Sequence, residues 1–127
     1  MRRSDQRRAA VVALYQQDVT GRPIDDVLER DATLFTKELV EGVEVEREEL
    51  DALIERHAEG WTLERIAPVE RNILRVALHE MLHRNDVPDE VAIDEAVEAA
   101  KELCSAEAPK FVNGILGAVQ REHAHTS

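Results

Sequence analysis

The stretch Pro68-Val69-Glu70-Arg71-Asn72-Ile73-Leu74-Arg75-Val76-Ala77-Leu78-His79-Glu80-Met81-Leu82-His83-Arg84 decides the fold. Val69, Ile73, Leu74, Val76, Ala77, Leu78 and Met81 recur at helical steps, which predicts a helix from about Val69 to Arg84. Its apolar face is too broad for a surface helix, so the segment reads as the central helix of a bundle. Pro68 suits the first turn, where a missing N–H costs little. Asn85-Asp86-Val87-Pro88 breaks the pattern.

The rest of the chain reads outward from this helix. Before it, Thr62 is placed to cap a single turn through Leu63 and Ile66. Phe35, Leu39, Val43, Leu50, Ile54 and Ala58 mark a long helix closed by Gly60. Ile24 to Arg30 is a short helical segment, and residues 4–19 form a first helix with Ser4 as N-cap. After the central helix, Asp89-Glu90 open a helix through Leu103 whose apolar set is Val91, Ile93, Ala96, Val97, Ala100 and Leu103. Ser105 is placed to cap a last helix carrying Phe111, Val112, Ile115, Leu116 and Val119 on one side. No alternating stretch requires a strand. The expectation is an all-α fold of about seven helices, two of them short, in a single domain over residues 1–127.

Composition narrows the function. Apolar residues are 43% of the 127, enough for a core, and aromatics only 3%, which suits packed aliphatic helices. A single cysteine, Cys104, excludes a disulfide framework and a multi-cysteine zinc site. The apolar run Ala9–Tyr15 ends after seven residues without a cleavage site, and no other run approaches membrane-spanning length. A cytoplasmic protein with no membrane partner is expected.

The net charge of −11 argues against non-specific coating of nucleic acid. The charge is uneven, however. Residues 1–22 carry +3, residues 23–60 carry −9, residues 61–84 carry +1, residues 85–107 carry −7 and residues 108–127 carry +1. The three non-acidic stretches can meet as one patch. The arginines of the first two turns oppose the helix dipole, so helix stability does not explain them.

His79-Glu80-Met81-Leu82-His83 matches H-E-x-x-H, the pattern in which two imidazoles one turn apart share a zinc and the glutamate acts as general base. The residues around it argue against a protease. On the wheel His79 and His83 share the polar side with Asn72 and Arg75, with Arg71 near its edge, and guanidiniums oppose a divalent ion. No third histidine follows at the extended spacing, and Glu98 and Glu102 are third ligands by sequence distance alone. The histidines are read as exposed. Cys104 has no base near it in sequence, and no glycine-rich phosphate loop is present. No enzyme, catalytic residue, cofactor or metal is expected. Glu80, in the middle of an apolar face, is expected to pair with Arg84 one turn on.

Several segments together resemble the NusB family of transcription antitermination factors. They are Arg7-Arg8 … Ala13-Leu14-Tyr15-Gln16, the segment Phe35-Thr36-Lys37-Glu38-Leu39-Val40-Glu41-Gly42-Val43 and the run Trp61 to Glu80. Asp86-Val87-Pro88 … Val91-Ala92-Ile93-Asp94-Glu95-Ala96-Val97 and Lys110-Phe111-Val112-Asn113-Gly114-Ile115-Leu116 complete the set, in order along nearly the whole chain. The resemblance implies a compact bundle of two helical subdomains. It implies binding of boxA single-stranded RNA in a heterodimer with ribosomal protein NusE. It further implies assembly with RNA polymerase and other Nus factors to suppress premature termination, notably on ribosomal RNA operons. Some family members form homodimers that cover the RNA face. A related use, in ribosomal RNA maturation as a domain fused to RNA cytosine methyltransferases, has no room in 127 residues.

The residues fit that expectation physically. Single-stranded RNA is held by cations on phosphates and by stacking on aromatic or guanidinium planes. Arg3, Arg7 and Arg8 offer the cations, and Tyr15, two turns on from Arg8, offers a ring. Lys110, Phe111 and Asn113 open the last helix, whose N-terminus favours phosphate. Arg71 completes the expected RNA set. Glu70 and Glu107 match family positions near the RNA and partner surface, where a carboxylate accepts from base amino groups or pairs with a basic partner. Arg75 joins these two in the expected partner-binding set. Two departures stand out: Ser4-Asp5 interrupts the arginine run, and Ala108-Pro109 precedes Lys110 in place of small polar residues.

Overall fold

A computed structural model describes residues 2–126, with side chains through residue 124. Among the described residues there are six α-helices, one 3-10 turn and no strand. They are α1 (Arg3–Thr20), α2 (Ile24–Val27), α3 (Leu34–His57), the 3-10 turn Leu63–Arg65, α4 (Pro68–His83), α5 (Asp89–Leu103) and α6 (Ala108–Thr126). None is long and apolar enough to cross a membrane.

Local chemistry sets the boundaries. Gly21 ends α1 in the left-handed conformation (φ 74°), its N–H bonding the Gln17 carbonyl, as a glycine can without strain. Thr33 caps α3 by accepting from the Thr36 N–H at 3.2 Å. Pro68 begins α4. Three expected caps differ. Arg2, not Ser4, precedes α1, and the Ser4 hydroxyl donates instead to Glu95 on α5 at 2.9 Å. The Thr62 side chain makes no cap; Glu55 on α3 accepts from the Leu63 N–H at 3.4 Å. Ser105 contributes its carbonyl rather than its hydroxyl, accepting from the Ala108 N–H at 3.1 Å. In each case a longer-range acceptor or the backbone itself outcompetes the local hydroxyl.

Helix α4 is the hub. It packs on α1 and α3 to one side and on α5 and α6 to the other, and every residue from Asn72 to Glu80 is buried. Leu14, Leu39, Leu50, Ile54, Ile73, Leu74, Leu78 and Leu116 are fully enclosed, each such side chain contributing about 1.5–3 kcal/mol by leaving water. A helix enclosed on all sides must also bury its polar stripe, and that requires partners.

The partners come from α1 and α3, both antiparallel to α4. The Glu80 carboxylate accepts from Arg7 Nε at 2.8 Å and from its Nη2 at 2.9 Å, a bidentate pair whose side chains are 1% and 10% exposed. Glu80 therefore pairs across the α1–α4 seam and not with Arg84, which donates to Asp86 and Glu38 at 3.1 Å. At the other end of the seam, Asp18 accepts from Arg71 Nε at 2.7 Å, Asn72 Nδ2 at 3.0 Å and Arg75 Nη1 at 3.1 Å. Arg75 also forks onto Asp51 of α3 at 2.7 and 3.1 Å. These donors hold the Asp18 carboxyl below its ordinary value even though its partial burial pushes the other way.

Candidate nucleic-acid interface

The residues expected to bind RNA or the partner protein separate into two groups by burial. Arg7, Arg71 and Arg75 lie in the ion pairs just described, with their guanidiniums turned inward. Burial of this kind was hidden in the sequence because α4 hides its polar face as well as its apolar one. Arg3 stands at the surface, 3.3 Å from Asp86, with its guanidinium 4.2 Å from the Phe35 ring centroid. Arg7 and Arg84 approach the same ring at 5.4 and 4.9 Å. Phe35 is thus a buried platform for three cations, a feature the helical periodicity gave no sign of.

The second group is less enclosed, Arg8 keeping a fifth of its side chain exposed and Lys110 lying in solvent. Arg8 lies on α1 with its Nε 2.7 Å from a Glu102 oxygen, and no acceptor lies in line with its N–H. The contact is one of charge, not a directed hydrogen bond. Tyr15 is seven residues further along α1, on the same helix side as Arg8, and is half-buried. Glu102 leads to Cys104 at the end of α5, and Cys104 leads to Glu70 at the start of α4. The Cys104 thiol is pushed up to about 11, first by burial and then by the nearby Glu70 carboxylate, so it is inert at neutral pH. Burial also raises Glu70 above the ordinary carboxylate value.

Glu70, Glu107, Phe111, Trp61 and Arg65 line one cleft of about 260 Å³ between the 3-10 turn, α4 and α6. Trp61 is 50% exposed and meets Phe111 edge to face, with centroids 6.3 Å apart and planes at 67°. Beyond that pair lies a groove lined by Arg56, His57, Lys110, Gly114 and Arg121. Lys110 and Asn113 are exposed on the first turns of α6. The helix start offers less than a bare N-terminus would: Ala108 N–H is bonded to Ser105 and Pro109 has no N–H, leaving Lys110 as the first-turn donor. Trp61, Arg56 and Arg121 were not singled out from sequence as site residues. The signal for Trp61 was there, in a lone tryptophan following Gly60 in a loop.

The H-E-x-x-H segment does not form a protease centre. Glu80 faces α1, where Arg7 holds it, away from the histidines. Glu102 sits with Arg8 instead of near a metal. His79 is not exposed as expected: it is 6% exposed, against α3, with Nδ1 2.7 Å from Glu46. Gly42 makes that burial possible, since a Cβ there would lie 2.1 Å from the imidazole Cε1.

Comparison with known proteins agrees with this architecture. The model of the NusB family matches residues 4–121. The transcription antitermination protein NusB of Rubrobacter xylanophilus is 47% identical over 122 residues, covering 91% of this chain and 88% of its own. That of Symbiobacterium thermophilum is 43% identical, covering 95% and 90%. Among solved structures, T. maritima NusB superposes with a TM-score of 0.89 at 34% identity over 98% of this chain and 94% of its own. A chain in a crystal structure of antitermination factors NusB and NusE in complex with dsRNA gives 0.84 at 28% identity, covering 94% and 96%. With the same hub helix and family pattern along nearly its whole length, this chain belongs to the NusB family of transcription antitermination proteins.

Proposed function

We propose that the chain is a non-enzymatic antitermination factor that binds boxA single-stranded RNA together with ribosomal protein NusE. In this reading it acts within RNA polymerase complexes that also hold other Nus factors and suppresses premature termination, notably on ribosomal RNA operons. The observation that carries the reading is the row of partly or fully exposed groups running from Arg8 and Tyr15 past Glu70 to Glu107, Phe111 and Lys110. It offers cations for phosphate, rings for bases and carboxylates for base amino groups or a basic partner, spaced along one side of the molecule. Arg3 extends the cations at the start of α1, and Asn113 adds an amide one turn into α6. The solved complex of a relative with NusE and RNA supports the choice of partners.

In the same reading Arg7, Arg71 and Arg75 act on RNA indirectly, by fixing α1 against α4. Glu70 and Glu107 form the partner-facing edge, with Arg75 behind them holding Asp18 and Asp51. With about three accessible cations, Arg3, Arg8 and Lys110, the affinity falls with salt at a logarithmic slope of about −2. The excess of acid elsewhere keeps unspecific binding low. Fluorescence anisotropy with boxA-like RNA tests the reading: weak binding by the chain alone and tighter binding with NusE are expected. No binding with or without NusE at low salt overturns it.

A further inference from the structure

On the opposite seam, between α3 and α4, four metal-ligating side chains meet that the RNA reading does not use. Glu46 and Glu49 stand three residues apart on α3, and His79 and His83 four apart on α4, so each helix turns two donors to the same spot. Ligand atoms of Glu46, Glu49 and His83 all lie within 4.8 Å of one another. His83 Nε2 is 3.5 Å from Glu46 Oε1 and 2.8 Å from Glu49 Oε1. A zinc ion with bonds of about 2.0–2.1 Å in tetrahedral geometry needs neighbouring ligand atoms about 3.3 Å apart. The Glu46 separation already fits, and Glu49, whose side chain is 54% exposed, has only to move back by about half an ångström.

We propose that Glu46, Glu49 and His83 form a site for a zinc-class divalent ion, with His79 as the residue that positions Glu46. The ion takes the place of the direct His83–Glu49 contact. His79 is nearly enclosed and donates from Nδ1 to Glu46 at 2.7 Å, the outer hydrogen bond that fixes a ligating carboxylate. Its ring lies 6.0 Å from that of His83, with planes 27° apart. The guanidiniums that seemed to oppose a cation are otherwise engaged, Arg75 with Asp51 and Asp18 and Arg71 with Asp18; of the others on these helices, Arg84 pairs with Glu38 and Asp86 and Arg47 with Gln17. An imidazole with two carboxylates favours zinc over magnesium. With Glu80 turned away, the site has no general base and acts as a clamp across two helices.

The test uses the full chain, stripped with chelator and titrated with zinc chloride by calorimetry, with thermal unfolding as the second readout. One zinc per chain and a raised unfolding midpoint are expected, with magnesium giving neither. Glu49→Gln combined with His83→Gln, both at exposed positions, is expected to weaken uptake at least about tenfold and abolish the rise while leaving the metal-free midpoint close to wild type. Should the pair disturb folding, Glu49→Gln alone is expected to weaken uptake by the same route. No uptake by the wild type, or equal uptake by the variants through His57, His123 or His125, overturns the proposal.

Discussion

Two regions of this molecule use the same residue types for opposite ends. Along the α1–α4 seam, Arg7 and Arg75 are buried, Arg71 is half-buried, and each meets a carboxylate at 2.7–2.8 Å. On the other face Lys110 is exposed, Arg8 of α1 reaches the exposed Glu102 with a fifth of its side chain in solvent, and the aromatic pair Trp61–Phe111 is half open. A guanidinium in the first region cannot leave without stranding a carboxylate in the core, at a cost of several kcal/mol. One in the second exchanges a solvated contact for a phosphate at little cost. Arg7 and Arg8 are adjacent in sequence, yet the turn of about 100° between neighbouring helix residues assigns them to different tasks.

The largest expected effect breaks the buried region. Glu80→Ala leaves Arg7 enclosed without its partner and is expected to lower unfolding free energy by about 3–5 kcal/mol in a denaturant titration. Stability within about 1 kcal/mol of wild type would mean the two regions do not differ in kind.

Gly42→Ala comes next. A helical Gly→Ala normally gains about 1 kcal/mol, but here the new methyl meets the confined His79 ring, and overpacking of about 1–3 kcal/mol prevails. A net loss of stability, with the His79–Glu46 contact disturbed in histidine NMR spectra, is expected.

Acid separates the regions more gently. Because the folded Asp18 carboxyl sits below its unfolded value of 3.8, its contribution is full above about pH 4 and is lost as pH falls through the lower folded value. Asp18→Asn should lower stability at pH 6 and flatten that part of the acid dependence, as measured by unfolding between pH 6 and pH 3. The smallest effect lies at the open face. Glu70→Gln removes a carboxylate that burial already disfavours, so stability at neutral pH should rise by a few tenths of a kcal/mol at most. Cys104 should alkylate faster, because part of the pressure on its thiol is gone.

The helices were legible because their apolar residues repeat at a helical period, and Pro68, Gly21 and Pro88 mark their ends. The hub role of α4 followed from the width of its apolar face. What periodicity hides is the fate of the remaining stripe. Asn72, Arg75 and His79 look like solvent-facing residues until α3 is laid across them, and Glu80 looks misplaced until Arg7 arrives from α1. Pairing across 73 positions of sequence leaves no local trace. Of the residues expected at the interface, Glu107, Lys110 and Asn113 are exposed as a contact surface needs, while Arg8, Glu70 and Phe111 are partly covered by the fold. Trp61 and the groove behind it were not legible, since Arg56 and Arg121 come from distant helices and meet only through the fold.

We propose that the surface row binds RNA while the inward-turned arginines hold the fold that presents it. The direct test is anisotropy of boxA-like RNA, with NusE present, on Arg8→Glu combined with Lys110→Glu. The double variant should stay folded, its midpoint lowered by no more than the loss of the Arg8–Glu102 pair, and lose RNA affinity by about tenfold or more, with a shallower salt dependence. Unchanged affinity in a folded double variant would contradict it.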